Sequence, residues 1–256
     1  MKRPLVRPLL VIAALLVAGG SLACRGAARE DPILRLAAAE SLAEGKRLME
    51  LEKYGQARKY LAHAFEIEPN SVSGREALLL VADSLYLEGG NANLLQAEAK
   101  YRDFLNRFPT SDRAAYVQFQ IGAALAGRVQ RPDRDQSVTQ KALTAFQEVV
   151  RLYPASEQAE QAQGRIAELR GRLAEHEFQV ARFYYRFGLP RATSSRLEFL
   201  LEQYPEYTAK DKVYFYLGMA QQRMDKPEEA RQWFDKLRQE FPSSELVGEI
   251  PRDQRG

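Results

Sequence analysis

An all-α solenoid of five helical hairpins, about ten helices, is what this sequence predicts, on three observations. The composition is helix-forming: 45% of the 256 residues are hydrophobic, mostly Leu and Ala, and 28% are charged. β-branched runs and Asn-Gly hairpin turns are missing. Most telling, five segments end in an apolar or aromatic cluster followed by proline: "FEIEPNS", "LNRFPTS", "VRLYPAS", "LEQYPEY" and "RQEFPSS".

The chain opens with "MKRPLVRPLLVIAALLVAGGSLAC", a basic start, an apolar run from Leu9 to Val17, then small residues. This is the layout of a secretory signal peptide over residues 1–23, and the apolar run is too short for a membrane span. Removing Lys2, Arg3 and Arg7 from the 37 basic residues leaves 34, equal to the 34 acidic ones. A nucleic-acid binder needs a basic surplus on one face, and that class is set aside. The single cysteine, Cys24, sits at the expected cleavage point and cannot form an internal disulfide.

"SLAC" resembles a bacterial lipobox, with Ser21 where leucine is usual and Leu22 one place late. Two readings of Cys24 stand: a lipid-modified N-terminus, or an ordinary signal peptide with an incidental cysteine. In the first, Cys24 carries an N-acyl diacylglyceryl lipid, no other cofactor is expected, and 24–31 is a short polar tether. Arg25, where aspartate would hold a lipoprotein at the inner membrane, directs the protein to the outer membrane.

The prolines at 69, 109, 154, 205 and 242 set a common frame. Twelve residues before each stands Ala57, Ala97, Ala142, Thr193 or Ala230; eight before, Leu61, Tyr101, Phe146, Leu197 or Phe234. Five before come Ala64, Phe104, Val149, Leu200 and Leu237. A small residue lets a neighbouring helix approach, a large one fills the space a turn later, and proline stops the helix. This spacing resembles the tetratricopeptide (TPR) repeat, with copies at roughly 32–70, 71–109, 110–154, 155–205 and 206–242. The repeats span 32–246 and a polar tail, 247–256, follows. Gly45 and Gly218 stand at the repeat's glycine position, twenty-four before their prolines, and the other three copies lack it. Such hairpins bury their apolar faces only by stacking, and the resulting groove usually binds peptides or proteins.

The proline intervals of 40, 45, 51 and 37 residues all exceed the usual period of about 34. The 45-residue interval holds "VQRPDRDQSVTQ", an insertion between the helices of the third repeat. There Pro132 ends one helix, Asp135 or Ser137 caps the next, and Arg134 pairs with its flanking aspartates. The 51-residue interval holds a proline-free stretch from Ser156 to Gly188, one long helix. Its expected inward seam is Ala159, Ala162, Ile166, Leu169, Leu173, His176, Val180, Phe183 and Phe187. Gly164 and Gly171 on another face imply close packing by a neighbour, since each costs about 1 kcal/mol against alanine.

Chemistry is thin. His63 and His176 lie on helical packing faces and read as structural, with no zinc-like spacing near either. "DRDQSVTQKALT" begins like a calcium loop, but Val138 replaces the turn glycine and Thr144 the bidentate glutamate. Gly89-Gly90 reads as a helix–helix turn, not a phosphate cradle. Catalysis by carboxylates alone is the one chemistry the inventory leaves open, and most Asp and Glu read as solvated faces. Tyr116, Tyr184 and Tyr185, with Arg182 and Arg186 beside two of them, are candidates for a recognition groove, against a core-and-rim role.

Several stretches together resemble the BamD family of outer-membrane assembly lipoproteins. They are the lipobox cysteine, the five repeats, "FLNRFPTSDRAAYVQFQIGAA", and above all Asp133–Gly188, with its DRD-type loop, YP-S junction and "LAEHE–VARFY–R–G" wording. The likeness covers nearly the whole mature chain and is strongest from Phe104 to Pro205. It implies a non-enzymatic scaffold on the periplasmic face of the outer membrane. Its implied partners are a BamA-like barrel protein, bound through periplasmic domains, other Bam lipoproteins, and unfolded outer-membrane clients. Arg196, in "SRLEFLLEQYP", takes the partner contact by that resemblance, with Asp133, Arg134 and Asp135 as a further partner-facing group. The client groove is expected around Tyr101 and Tyr116, with Arg182, Tyr184 and Tyr185. Another envelope TPR lipoprotein, coordinating wall synthesis or secretion with the outer membrane, is the alternative.

Overall fold

The computed structural model describes residues 31–254, so the signal segment and Cys24 lie outside the described residues. Asp31–Leu36 belong to a separate N-terminal unit, in which Pro32–Arg35 form a 3-10 turn. The Asp31 carboxylate caps that turn by accepting from the Ile33 amide at 3.1 Å.

From Ala37 onward the chain is one unit of consecutive helices. Five hairpins follow in order: α1 (Ala38–Glu50) with α2 (Tyr54–Ile67), α3 (Val72–Glu88) with α4 (Asn91–Arg107), α5 (Ala114–Ala126) with α6 (Ser137–Leu152), α7 (Glu157–Arg186) with α8 (Pro190–Gln203), and α9 (Lys210–Arg223) with α10 (Pro227–Glu240). Each helix packs on its chain neighbours, so each hairpin stacks on the next. A short α11 (Leu246–Glu249) closes the unit, and no strand occurs among the described residues. The all-α solenoid is borne out.

The proline frame explains the stacking. In all five second helices the residue before proline takes the same backbone, φ between −130° and −133° and ψ between 52° and 65°. Steric conflict with the proline ring keeps that residue out of the helical region. Its amide still bonds the carbonyl four residues back, so every helix stops at the same place. The small and large frame positions are all 0% exposed, as is the third row apart from Phe104 at 2%. Burying one large apolar side chain stabilises by about 1.5–3 kcal/mol, so these rows hold neighbouring hairpins together.

Three expectations change. The third repeat does carry the glycine: a Cβ on Gly122 would lie 2.8 Å from the Phe146 ring, as one on Gly45 would lie 2.6 Å from Leu61. The insertion moved it thirty-two residues from Pro154, which hid it from a count of twenty-four. Gly164 and Gly171, by contrast, face open space, with nothing within 4 Å of a Cβ on either. And the segment 247–256 is more than a polar tail, because Ile250 is 0% exposed and packs with Phe215, Phe234 and Leu237.

Helix α7 sets the geometry of the C-terminal half. Ser156 caps it, accepting from the Ala159 amide at 3.1 Å, and Gly188, at φ +70°, ends it. Its 30 residues make it about 45 Å long, enough to serve two cores. Ala162 and Leu169 enter the core built by α3 to α6, while Ala174, Phe178 and Ala181 enter the one shared with α8 and α9. The predicted seam therefore holds only through Leu173. Beyond it the buried stripe shifts, leaving Phe183 and Phe187 47% and 66% exposed.

Candidate functional site

Two surfaces gather polar and apolar side chains. The first is a cleft of about 530 Å³ between α3 and the turn leading into α5. Leu79, Leu80 and Phe104 form its apolar wall, and Asp83 lies at its base. Asp83 Oδ1 accepts from the hydroxyls of Tyr101 at 2.7 Å and Tyr116 at 2.9 Å. Burial, the larger influence, raises the Asp83 carboxyl above its ordinary range, against the two phenol hydrogen bonds and nearby Arg113. The same burial, with the Asp83 charge, pushes both phenols upward. Gln120 Nε2 donates to the Tyr116 hydroxyl at 3.0 Å and completes the network.

At the rim, Arg113 stacks over the Tyr116 ring at 4.6 Å and Arg75 over Phe108 at 5.8 Å. Neither guanidinium pairs with a carboxylate among the described residues. The cleft thus offers two cations and an apolar wall, beside the carboxylates of Glu76, Asp83 and Asp112. Tyr101 does not line it as expected: at 0% exposure its ring is core and only its hydroxyl reaches the network. Tyr116 is half-buried and belongs to the cleft floor through Asp83. Asp83, Arg75 and Arg113 were missed. The signal for Asp83 was a lone acid within the apolar "LLLVADSLYL" of α3.

The second surface is built by α7, the start of α8 and the insertion. Residues 127–136 form a braced loop. Arg128 Nη1 donates to Glu98 at 2.7 Å, and the buried Gln136 amide donates to the carbonyls of Arg131 and Arg134 at 3.0 and 2.9 Å. Asp135 accepts from the Ser137 amide at 2.7 Å and so starts α6, and that bond holds its carboxyl below the usual range. Two details of the loop differ from expectation. Helix α5 already ends at Ala126, well before Pro132. Asp133 pairs with Arg131 at 2.8 Å, leaving exposed Arg134 without an ion pair among the described residues. His176, on α7, donates from Nδ1 to the Pro132 carbonyl at 2.6 Å and ties the loop down.

Between this loop and α7 opens a second cleft of about 530 Å³, with Pro132 and Asp133 on one side and Val180, Phe183 and Tyr184 on the other. Arg182 and Arg186 stand on its edge. Tyr184 also lines a neighbouring depression with Arg196 and Phe199, and so borders both. Arg196 Nη1 donates to Glu177 at 2.7 Å, and that carboxylate, with the Tyr184 hydroxyl, raises its pKa. Tyr185 points elsewhere: its ring packs edge-on against Tyr216 at 5.1 Å and lies under Arg223 at 3.7 Å. The structure therefore joins Asp133, Arg182, Tyr184 and Arg196 on one surface, away from Tyr116, instead of placing Arg182 and the tyrosines in one groove.

Among the described residues, no group of three His, Asp or Glu side chains could hold a metal, and no helix is long and apolar enough to cross a membrane. A family model described as YfiO, outer membrane lipoprotein, matches residues 36–237. The chain is 25% identical over 229 residues to the outer membrane protein assembly factor BamD of Haemophilus influenzae, covering 86% of each chain. It is 25% identical over 238 residues to the BamD of Caulobacter vibrioides, covering 92% of this chain and 77% of that one. With the BamD of Pasteurella multocida it shares 29% identity over 183 residues, 68% of each. Among solved structures it is similar to the TPR2AB domain of yeast Sti1, with a TM-score of 0.48 and 15% identity, covering 82% of this chain and 80% of that one.

Proposed function

Because this chain belongs to the YfiO family of outer membrane lipoproteins, we propose that it is an assembly factor for outer-membrane β-barrel proteins. It acts as a scaffold without catalysis, held to the periplasmic face of the outer membrane by lipid on Cys24. It binds a BamA-like barrel protein and receives unfolded barrel clients. The observation that carries this reading is a family match running from residue 36 to residue 237, from the start of α1 into α10.

The two clefts divide the work. The N-terminal one suits a client strand ending in an aromatic residue: Arg113 and Arg75 meet the terminal carboxylate, and the Leu79, Leu80 and Phe104 wall takes the ring. Such contacts are few, so holding is weak, which suits handover. The surface around Arg196 and Tyr184 docks the barrel partner.

Affinity purification of the tagged chain from membranes tests the reading. A stable complex with a BamA-like barrel is expected, and recovery of wall-synthesis enzymes in its place would overturn it. For the client cleft, a photo-reactive peptide ending in phenylalanine should cross-link to Arg113 or Leu80. Cross-links confined to other faces would remove the cleft from the proposal.

A further inference from the structure

The exposed end of α7 has a composition the fold does not need. Phe183, Phe187, Leu189 and Phe199 are 47%, 66%, 49% and 42% exposed, while the core beneath them is closed by Phe178 and Ala181. The rings of Phe183 and Phe187 stack on each other at 4.4 Å rather than on a neighbouring helix. Large apolar side chains gathered at one surface mark an interaction site more often than singly scattered ones do.

Three arginines near them, Arg182, Arg186 and Arg191, are exposed and carry no ion pair among the described residues. Arg182 also borders a pocket lined by Asp211, Glu245 and Glu249. On the cleft side the acids are engaged: Asp133 with Arg131, Glu177 with Arg196, and Glu175 with the Tyr207 hydroxyl at 2.6 Å. Arg182 and Arg186 thus line the cleft whose far wall is the loop carrying Pro132, and Arg191 lines a separate depression beside Leu189.

We propose that this surface binds an acidic, extended segment of a partner protein, with one aromatic or aliphatic side chain inserted between Pro132 and Phe183 and its carboxylates meeting Arg182 and Arg186 in the cleft and Arg191 beyond it. Charge complementarity selects the acidic partner, and the concave cleft favours a protruding side chain over a flat lipid surface. The inference deepens the partner docking proposed for this end of the solenoid and rests on that reading for the partner's identity alone. Its chemistry can be measured without the partner.

The probe is a fluorescein-labelled peptide, Asp-Phe-Glu-Leu-Asp-Phe, titrated with the purified full chain by anisotropy, beside a counterpart with lysine for each acid. The acidic peptide should bind, weaken as salt rises from about 50 to about 500 mM, and outcompete the lysine peptide. Reversing the three charges (Arg182→Glu, Arg186→Glu, Arg191→Glu) should cost about tenfold or more in affinity, and Phe183→Ala with Phe187→Ala a similar factor. The triple lysine variant should keep most of the binding, tying the loss to charge. These side chains are exposed, so circular dichroism should show all variants folded. Equal affinity for wild type and both variants would overturn the proposal. So would flotation with phosphatidylglycerol vesicles that depends on the three arginines while the peptide fails to bind. Recovery of the barrel complex is scored separately: peptide failure with the complex intact sinks this inference and leaves the assembly role standing.

Discussion

Arg196 is held by Glu177 before any partner arrives. The 2.7 Å bond joins α8 to α7 across nineteen residues of sequence, and the carboxylate is far less exposed than the guanidinium, 13% against 36%. Arg196→Ala should lower recovery of the barrel complex several-fold while costing about 1 kcal/mol or less in urea unfolding, because the pair is partly solvated. Glu177→Gln separates two roles for the carboxylate. If Glu177 competes with the partner for Arg196, recovery rises. A fall would show that Glu177 aims Arg196 at the partner.

The Asp83 network gives a pH signature. Burial raises this carboxyl, so the fold favours its protonated form. The stabilisation is fully present below the ordinary carboxylate range and is lost as pH rises through the raised value. Asp83→Asn cannot ionise, so its stability relative to wild type should improve from acid to neutral pH. Urea melts of both proteins across that range would read the trend, and a constant difference would contradict it. Tyr101→Phe should cost about 1–3 kcal/mol at neutral pH by taking one donor from a buried carboxylate.

Two kinds of glycine should respond oppositely to alanine. Gly122→Ala places a methyl against the Phe146 ring and should destabilise by about 1–3 kcal/mol. Gly164→Ala and Gly171→Ala meet open space inside a helix and should each stabilise by about 0.5–1 kcal/mol. Thermal unfolding of the three variants distinguishes the classes.

His176 ties the insertion to α7 through the Pro132 carbonyl. His176→Ala should cost about 0.5–1.5 kcal/mol. Hydrogen exchange should rise in residues 128–136 with little change in α3 or α10. Uniform protection of that loop in the variant would show that Gln136 and Arg128 brace it unaided.

The candidate sites were legible only in part. Tyr184 and Arg182 could be nominated from sequence because aromatic and guanidinium groups crowd that stretch, and Arg196 only through the family resemblance. Tyr101, nominated for the client groove that the resemblance implies, is core, since every residue at its frame position is fully buried. Asp83 and Arg113 are thirty residues apart, and their meeting depends on α4 packing against both α3 and α5, so that Tyr116 reaches Asp83. Nothing in local periodicity carries that information.

Sequence alone determined the hairpin count, the ends of the five proline-stopped helices and the buried rows. Each is decided within one helix and its terminal proline, where backbone sterics and the 3.6-residue period act locally. Tertiary structure decided which face of α7 is buried beyond Leu173, because a helix about 45 Å long passes from one set of neighbours to another. It also decided that Gly122 serves the third repeat, that Gly164 and Gly171 serve no contact, and that Phe183 and Phe187 face solvent. Burial depends on what covers a side chain, and that cover comes from residues distant in the chain.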